Sequence, residues 1–400
     1  MKLTKNIRAG ALSTVIVIST LMLLVILGII MFWDMDMLLF SRTQYVKSQR
    51  ANIESAYLLY STHPDSYMRE RSEFVIFEGV PSSKVTIERE QWGLYELVSV
   101  TATDPAFNQT RLLGLREPSN IGACFYHPDN HLSVTLSGNT NILTDAYLPV
   151  NGFIYGQMSS EFFSGEVVET SRMKPAETFL PEPAAGVTAT IDSIFSIRPT
   201  YMLSRGNISL PFYRSEPLII SAAANIRDNT LAGKIVVAGD NLKINATCHF
   251  DDIIVVCSTL TIEEGFEGSM QVFARDSVIV ESNVRLHYPS GIYSNSLVRL
   301  SDNSLINGYI IVDPLVEAEI ERPNYISTRK SLVRGFIYVN GTAHLQGIIS
   351  GSAFVREAVY YAPYGYYRGM LYDVTLLENS ETAYPLWLDN GKRREAKWVN

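Results

Sequence analysis

Alternating apolar and polar positions form a repeat in the middle of the chain, from residue 235 to 306. Pairs of apolar residues two positions apart recur there with steps of 18, 18 and 20 residues, at Leu242/Ile244, Leu260/Ile262, Val278/Val280 and Val298/Leu300. The residue inside each pair is mostly polar, as expected when successive side chains of a strand point to opposite faces. So short a period, built of strands and turns, predicts a β-solenoid whose stacked coils share one apolar core.

Corner positions follow each pair at a fixed distance. Three residues after the pair come Thr247, Gly265, Asn283 and Asn303. Glycine and asparagine tolerate the left-handed backbone that tight corners require. A second row of inward residues, Phe266 and Val284, stands four positions after Ile262 and Val280. These spacings predict coils with two inward rows joined by a tight turn.

Weaker coil-like segments extend the predicted solenoid to residues 131–355. Alternating stretches begin at His131 and again at Val333. Two segments do not fit the pattern and are predicted to be insertions, at about 157–215, which is rich in proline, and at about 315–331. Residues 356–400 are predicted to form a tyrosine-rich cap followed by a C-terminal tail.

The N-terminal region carries a different pattern, an uncharged apolar run from Ala9 to Trp33. As a helix this run would be roughly 37 Å long, enough to cross a bilayer core of about 30 Å. A cleaved signal peptide is the alternative, although its apolar region is normally shorter and no A-x-A site follows. Basic residues are balanced across the run, but Asp34 and Asp36 come first on its far side. This order favours a cytoplasmic N-terminus and an exported C-terminal body.

Helical periodicity continues beyond the apolar run. No glycine or proline interrupts residues 31–62, so we expect one transmembrane and extended amphipathic helix over residues 1–61. Alternating stretches separated by turn residues then predict a small β-rich membrane-proximal domain over residues 62–130. The fold class predicted is therefore mainly β: a single N-terminal transmembrane helix, a small β-rich (α+β) domain, and a β-solenoid with insertions.

A short basic leader, the sequence Arg8-Ala9-Gly10, an apolar run and an amphipathic continuation together resemble the N-terminus of minor type IV pilins and pseudopilins. The resemblance covers some 55 residues. It implies cleavage by a prepilin peptidase after Gly10, which would leave Ala11 as the first residue. The glutamate that most of that family has at the fifth mature position is Val15 here. A plain single-pass anchor explains the same residues.

The repeat itself resembles bactofilin-type polymer-forming domains and related β-helices, in its coil length and its stacked apolar pairs. This resemblance covers about 75 residues and includes no invariant motif. It implies self-assembly, since those proteins polymerise end to end through open coils.

Charge and cysteine content narrow the classes of function. The formal net charge is −8, which argues against a nucleic-acid partner because such proteins usually present a basic face. The basic triplet Lys392-Arg393-Arg394 is interpreted as part of a solvated tail. The cysteines and six histidines have no metal-ligand spacing, and no cofactor motif is present. Cys248 and Cys257 are either a disulfide in an exported domain or buried free thiols.

A dense aromatic segment near the C-terminus is the candidate binding patch, comprising Tyr360, Tyr361, Tyr364, Tyr366 and Tyr367. It would either stack on a glycan or cap the open end of the solenoid. Candidates for glycan-cleaving chemistry are few: Asp240, Asp251, Asp252 and Asp276, with Arg275, His249 and His287. Asp240 and Asp276 would lie two coils apart with Ser258 between them, which favours a corner role.

The sequence therefore predicts a non-enzymatic structural or assembly protein of the bacterial cell envelope. It would be anchored in the inner membrane through residues 9–33, with a periplasmic or cell-surface body and envelope-complex partners. A surface glycan- or partner-binding module is the alternative, and a polysaccharide-active β-helix enzyme is the third reading.

Overall fold

The structure, a computed structural model, describes residues 6–67, 70–104, 106–158, 160–213, 216–316, 320–379, 381–389 and 391–399, with side chains from Ala11 on. It is mainly β, with 47% strand and 19% helix. The described residues form two helices, α1 (Asn6–Thr62) and α2 (Val187–Ser196), besides short 3₁₀ turns at Pro64–Tyr67, Pro81–Ser83 and Thr170–Arg172.

The strands divide along the chain into four groups. The first group, near the N-terminus, is β1 (Arg71–Val75), β2 (Lys84–Trp92), β3 (Tyr95–Ala102) and β4 (Asn108–Leu115). The second group precedes α2 and is β5 (Phe125–Tyr126), β6 (Val134–Ser137), β7 (Asn141–Leu143), β8 (Ala146–Leu148), β9 (Phe153–Tyr155), β10 (Gln157–Met158), β11 (Glu161–Phe162) and β12 (Met173–Pro175).

The third group follows α2 and contains most of the long strands. It is β13 (Tyr201–Met202), β14 (Gly206–Leu210), β15 (Leu218–Ser221), β16 (Asn225–Ile226), β17 (Asn229–Gly233), β18 (Ile235–Ala238), β19 (Asn241–Ile244), β20 (His249–Asp251), β21 (Ile253–Ile262), β22 (Glu267–Gly268), β23 (Met270–Val280), β24 (Arg285–Ser294), β25 (Leu297–Leu300), β26 (Leu305–Val312), β27 (Tyr325–Ile326), β28 (Leu332–His344) and β29 (Gly347–Ala362). The last group is β30 (Gly365–Arg368), β31 (Met370–Tyr372), β32 (Val374–Leu377) and β33 (Arg393–Val399).

Helix α1 is one unbroken apolar helix, long and apolar enough to cross a membrane by length and composition. A signal sequence near the N-terminus passes the same test. Every residue from 11 to 45 is exposed, and the buried positions begin further along the helix. They recur at steps of three and one, a helical stripe: Gln49, Asn52, Ile53, Ala56, Tyr57 and Tyr60.

The chain forms two compact units. The first comprises residues up to Tyr57, with 73–86 and 100–108; the second comprises residues 58–72 and 87–99 and everything from Gln109 on. In the first unit the Asn52 side chain donates to the Ser82 carbonyl at 3.0 Å, and the Tyr45 and Phe107 rings pack edge-on at 6.0 Å. Strands β1, β2, β3, β4 and β33 hydrogen-bond in that order in one sheet.

A β-solenoid of about 12 turns makes up most of the second unit. The predicted repeat is confirmed residue by residue, because Leu242, Leu260, Val278 and Val298 pair in register on successive coils. The corner prediction holds at Gly265, Asn283 and Asn303, which have φ angles of 80°, 61° and 58°. Phe266 and Val284 are fully buried in the interior, as the second inward row requires.

The order of coils in space differs from their order in the chain. One face of the solenoid is a ladder of twelve parallel strands, in the spatial order β13, β15, β18, β21, β23, β24, β26, β28, β29, β5, β8, β12. The coils formed first along the chain, which carry β5, β8 and β12, therefore stack beyond the coil of β29. Strands β32 and β5 both stack on β29, β32 on its first part and β5 on a later part. One coil therefore consists of β32 followed in space by β5, and we call the gap between Leu377 and Phe125 the joint.

Residues 176–200 connect the two ends of this stack, and we call them the crossing segment. Eleven steps of about 4.8 Å separate β12 from β13, roughly 53 Å. Helix α2 supplies about 15 Å of this length, and extended residues supply up to about 3.3 Å each. The path is marked by hydrogen bonds to the carbonyls of Phe179, Pro181 and Phe195 from Tyr126, Tyr338 and Arg275.

The predicted insertion at 157–215 is therefore wrong as a single insertion. Met173–Pro175 is the last strand of the stack and Tyr201–Met202 is the first, and among the described residues of this range the crossing segment and the small hairpin β10–β11 leave the coils. The solenoid also begins earlier than predicted, at Phe125. Of the predicted insertion at 315–331, Glu317 and Glu319 lie outside the described residues, and Tyr325–Ile326 is a coil strand.

Two apolar cores result from this arrangement. The inner core fills the solenoid with stacked aliphatic residues. The outer core covers one face of the solenoid, since strands such as Ile253–Val256 are apolar on both sides. It is closed by β3, β4, the crossing segment and the residues around Trp387. The C-terminal tail is thus part of the fold, with β33 antiparallel to β4.

Candidate functional site

The proposed processing site, Gly10 and Ala11, lies in the first turns of α1. Ala11 is exposed, as are the residues that follow it. The helical position and exposure leave cleavage after Gly10 as a prediction.

The three cysteines are free thiols, so the disulfide between Cys248 and Cys257 is not formed. Cys248 contacts the Ile226 carbonyl at 3.3 Å, whereas Cys257 lies beside the Phe273 carbonyl at 3.9 Å. Each thiol therefore faces a different neighbouring coil. Burial raises the pKa of Cys257 to about 12, so this thiol stays protonated and acts as a small apolar side chain.

A lysine from the C-terminal strand forms ion pairs with both Asp251 and Asp252. Lys397 lies 2.9 Å from Asp251 and 2.6 Å from Asp252, and the Ser269 hydroxyl donates to both carboxylates. Burial raises the pKa of Asp252, and Lys397 only partly opposes it; for Asp251 burial acts the same way but Lys397 prevails and the pKa is lowered. The Trp92 indole donates to the Asp252 carbonyl at 3.2 Å. These contacts link β2 and β33 to the coil that carries Asp251 and Asp252.

The other predicted polar candidates do not converge. Asp240 and Asp276 lie on coils separated by the coil of β21, as predicted. Arg275 stacks over the Phe195 ring at 4.7 Å on the crossing segment. His287 pairs with Glu267 at 2.7 Å on the surface, and His249 is exposed. Nowhere in the described ranges do three or more His, Cys, Asp or Glu side chains gather to hold a metal ion.

The predicted aromatic patch is a β-hairpin that leaves one coil and returns to it. Strands β29 and β30 pair antiparallel, with Tyr360 opposite Tyr367 and Tyr361 opposite Tyr366; we call residues 359–368 the tyrosine hairpin. Tyr364 at its tip is fully exposed, and Tyr366 and Tyr367 are 42% and 45% exposed. Three further coils stack beyond the coil of β29. A capping role at the solenoid end is therefore wrong.

The base of the tyrosine hairpin packs on two histidines. The His344 ring stacks on Tyr360 with centroids 5.2 Å apart, and its Nδ1 accepts the Tyr361 N–H at 3.1 Å. His127 Nε2 accepts the Ala358 N–H at 3.4 Å. Burial is the largest influence on both imidazoles and lowers the pKa of each.

A small apolar cluster lies beneath the hairpin. It contains Met158, Met370 and Tyr372, with Tyr360 packed against it. The Tyr360 and Tyr372 rings meet at 4.8 Å, and the Arg329 guanidinium lies 5.1 Å over the Tyr372 ring. Glu161, on the hairpin β10–β11, accepts a hydrogen bond from the Tyr372 hydroxyl. Two hairpins from distant parts of the chain thus share one buried cluster.

A buried ion pair that the sequence did not reveal joins three elements of the second unit. Arg393 contacts Glu96 with two hydrogen bonds, at 2.8 and 3.0 Å. The Tyr60 hydroxyl, at the end of α1, donates to the same carboxylate at 2.8 Å. Burial alone would raise the pKa of Glu96, but Arg393 and Tyr60 lower it overall. The interpretation of Lys392-Arg393-Arg394 as a solvated tail is wrong at Arg393, which is 5% exposed.

Comparison of the chain with protein-family models, with curated proteins and with solved structures finds no match.

Proposed function

We propose that this chain is a membrane-anchored, exported structural or assembly protein that presents a β-solenoid on the outer side of a bacterial inner membrane. The observation that carries the proposal is α1, an unbroken helix whose residues 11–45 are all exposed while its last turns are buried. An exposed apolar helix of this length is stable only when lipid or protein covers it. The bilayer would surround the first half, and the folded units would begin where burial begins.

Support for a minor-pilin-like subunit comes from the same helix and its surroundings. The helix continues without interruption from the apolar run into a part whose residues contact the segments between strands, as the Tyr45–Phe107 and Asn52–Ser82 contacts illustrate. The Gly10–Ala11 junction then stands where a prepilin peptidase would cut. Cleavage after Gly10 distinguishes a pilin-like subunit from a protein with a plain single-pass anchor.

The experiment is mass spectrometry of the mature protein isolated from membranes of cells that contain a prepilin peptidase. A mature chain that begins at Ala11 is expected, and Gly10→Val should block its formation. Gly28→Ala is the matched control, because a side chain at Gly28 meets nothing within 4 Å and the span is unchanged. An intact N-terminus in the wild-type protein would remove the pilin-like reading, and a chain cut beyond residue 33 would remove the anchor.

Orientation is tested separately by adding protease to spheroplasts. We expect the body to be digested from outside, with a protected fragment that contains the span. Protection of the whole body would place it in the cytoplasm and would contradict export.

We propose that the partner is a second copy of this chain, bound through the solenoid ends. The end strands β13 and β12 each have one coil neighbour among the described strands. Basic residues slightly outnumber acidic ones near the β13 end (Arg198, Arg205 and Arg227, against Glu216 and Asp228), and acidic residues slightly outnumber basic ones near the β12 end (Glu166, Glu169 and Glu177, against Arg172 and Lys174). Opposite charges on two open edges favour head-to-tail contact between copies.

Light scattering of the detergent-solubilised chain tests this contact. We expect oligomers that dissociate as salt rises, because charge attraction between exposed groups is screened. Arg205→Glu with Arg227→Glu should abolish them, whereas Arg285→Glu, on a central coil, should not. A monomer at all salt concentrations would refute assembly through the ends.

The second candidate function, glycan binding, is favoured by one observation, the exposed aromatic rings of Tyr364, Tyr366 and Tyr367. Aromatic side chains bring large amphipathic contact area to a binding surface. Titration of a glycan panel, followed by tyrosine and tryptophan fluorescence, tests it. Quenching that is lost in Tyr364→Ala and Tyr367→Ala would support binding, and silence across the panel would argue against it.

A further inference from the structure

Two buried histidines hold the same short segment at the base of the tyrosine hairpin. His344 Nδ1 accepts the backbone N–H of Tyr361 at 3.1 Å, and His127 Nε2 accepts that of Ala358 at 3.4 Å. The side chains are almost inaccessible, since His344 is 8% exposed and His127 is 1% exposed. The two histidines come from coils on opposite sides of the coil that carries the hairpin, β28 and the segment after β5.

This geometry requires both imidazoles to be neutral. A ring nitrogen that accepts an N–H must be unprotonated, whereas both nitrogens of a protonated histidine are donors. His127 Nδ1 lies 3.0 Å from the Pro128 carbonyl, so it is the nitrogen that carries the proton. Protonation would place an N–H of the imidazolium against the N–H of Tyr361 or Ala358. Each of these backbone donors would then lose its acceptor, which destabilises the latched position.

The groups around the imidazoles do little to stabilise a positive charge. His344 faces Tyr360 and Tyr361 from β29, and the Gln346 side chain on its own turn. His127 faces Glu357 from β29 and the Pro128 carbonyl from its own segment. The carboxylate of Glu357 is already engaged by Arg368 at the far end of the hairpin. Burial outweighs these contacts and lowers the pKa of both histidines.

We propose that His127 and His344 form an acid-sensitive latch, which fixes the tyrosine hairpin to the solenoid at neutral pH and releases it when either imidazole is protonated. Release would uncover the apolar cluster of Met158, Met370 and Tyr372, on which Tyr360 packs. The coils themselves would remain, because none of the described inner-core residues belongs to the hairpin at 359–368. Attachment of the hairpin to the solenoid would therefore depend on pH.

The direction of the effect follows from linkage. When the hairpin is released, each of the two histidines titrates near its ordinary pKa of about 6.5. A latched histidine has a lower pKa, so the released state binds more protons below about pH 6.5, and acid favours release. At one pH unit below that value, each histidine shifts the equilibrium by up to about tenfold.

Hydrogen–deuterium exchange of the full chain in detergent tests the latch. Exchange in residues 358–368 is compared at pH 7.5 and 5.5, after correction for the pH dependence of intrinsic exchange. We expect protection of this segment to fall about tenfold or more at the lower pH, while segments in β21 and β23 keep theirs. Equal protection of residues 358–368 at the two pH values would overturn the proposal.

Variants identify the groups responsible. His127→Gln and His344→Asn place an amide oxygen where the accepting nitrogen stands, so the double variant should keep the hairpin latched and lose the pH response. His249→Asn changes an exposed histidine on another coil and should retain the wild-type response. A double variant that still responds would exclude these histidines. If it does not fold, the wild-type imidazole pKa values from NMR decide instead, and values at or above 6.5 for both would overturn the latch.

Discussion

Glu96 shows how single residues in this fold combine burial with charge. Its carboxylate is 5% exposed and contacts Arg393 on β33 and Tyr60 at the end of α1. A buried charge is tolerated only when it is paired and hydrogen-bonded. The Glu96 carboxylate therefore links β3, β33 and the end of α1.

We expect Glu96→Gln to lower the free energy of unfolding by about 3–5 kcal/mol, because Arg393 would remain buried without its counter-charge. Urea unfolding of the full chain in detergent measures it. Glu88→Gln is the control, since Glu88 pairs with Arg71 on the surface at 3.3 Å, and such pairs contribute about 0–1 kcal/mol. Similar losses in the two variants would contradict the role given to the buried pair.

The pH dependence of this contribution has a definite sign. The pKa of Glu96 is lowered in the folded state, so the unfolded state takes up its proton first as pH falls. The stabilisation is complete above the ordinary glutamate pKa of about 4.3 and is lost as pH falls through the lowered folded value. Glu96→Gln should therefore flatten the acid limb of a stability-against-pH curve. An unchanged acid limb would show that Glu96 does not contribute to it.

Among the elements, a row of glycines inside strands β26, β28 and β29 shows the strictest local requirement. Gly308, Gly335 and Gly351 stand on consecutive coils with φ angles of 144°, 135° and 143°. A Cβ on Gly335 would lie 1.9 Å from the Gly308 carbonyl oxygen. Both the left-handed backbone and the close approach of the next coil demand glycine.

We expect Gly335→Ala to destabilise the solenoid by clearly more than 1 kcal/mol (~1 being the usual scale of a glycine conformational effect), because a steric clash adds to the φ strain. Thermal unfolding followed by circular dichroism checks this. Gly122→Ala is the matched control, since Gly122 also has a positive φ but nothing lies within 4 Å of a Cβ there. If both variants cost the same, the clash between coils is not what demands glycine.

Helix α2 covers part of the outer core, and this packing should be its main contribution to stability. Ile191 is 4% exposed and belongs to the outer core, so Ile191→Ala should cost about 2–5 kcal/mol. Ser193→Ala, on the exposed side of the same helix, should change stability by less than about 0.5 kcal/mol. Urea unfolding measures both. A small effect at Ile191 would mean that the crossing segment is only a connection.

The elements also show what the sequence could and could not predict. The spacing of Leu242, Leu260, Val278 and Val298 predicted strand register because identical side-chain rows must stack in a solenoid. The joint between Leu377 and Phe125 could not be predicted, because an apolar pattern identifies a coil but not its neighbour. Likewise nothing in the local pattern of Arg393 distinguishes a buried ion pair from a solvated tail. The tyrosine cluster was found, but its place in the middle of the stack was not.

At the scale of the whole molecule, the order of stacking has consequences for folding. The coils of β5, β8 and β12 precede the rest in the chain, yet their neighbouring coil is completed only by β29 and β32. An aromatic row continues across this joint, from Tyr147 and Tyr126 to Phe354 and Phe336. The joint is therefore packed like the rest of the ladder, although the chain does not cross it.

Engineered cysteines test this order directly. Asn141 pairs with Thr375 across the joint, and their side chains are 3.2 Å apart, so Asn141→Cys with Thr375→Cys should form an intramolecular disulfide on oxidation. Adjacent strands bring Cα atoms within the 4.4–6.8 Å that a disulfide needs. The three native thiols should not interfere, because all are buried and burial raises the pKa of each, to about 12 for Cys124 and Cys257. Peptide mapping without reduction detects the bond.

The matched control places cysteines where a sequential solenoid would bring them together. Lys174 and Met202 stand in the same row of the ladder, on the coils that flank the crossing segment, so in a stack that followed the chain they would be neighbours. Here they lie on β12 and β13 at opposite ends of the ladder, roughly 53 Å apart. Lys174→Cys with Met202→Cys should therefore form no bond within one chain. An intramolecular bond in this pair, together with none between positions 141 and 375, would refute the stacking order and would make the crossing segment an ordinary insertion between neighbouring coils.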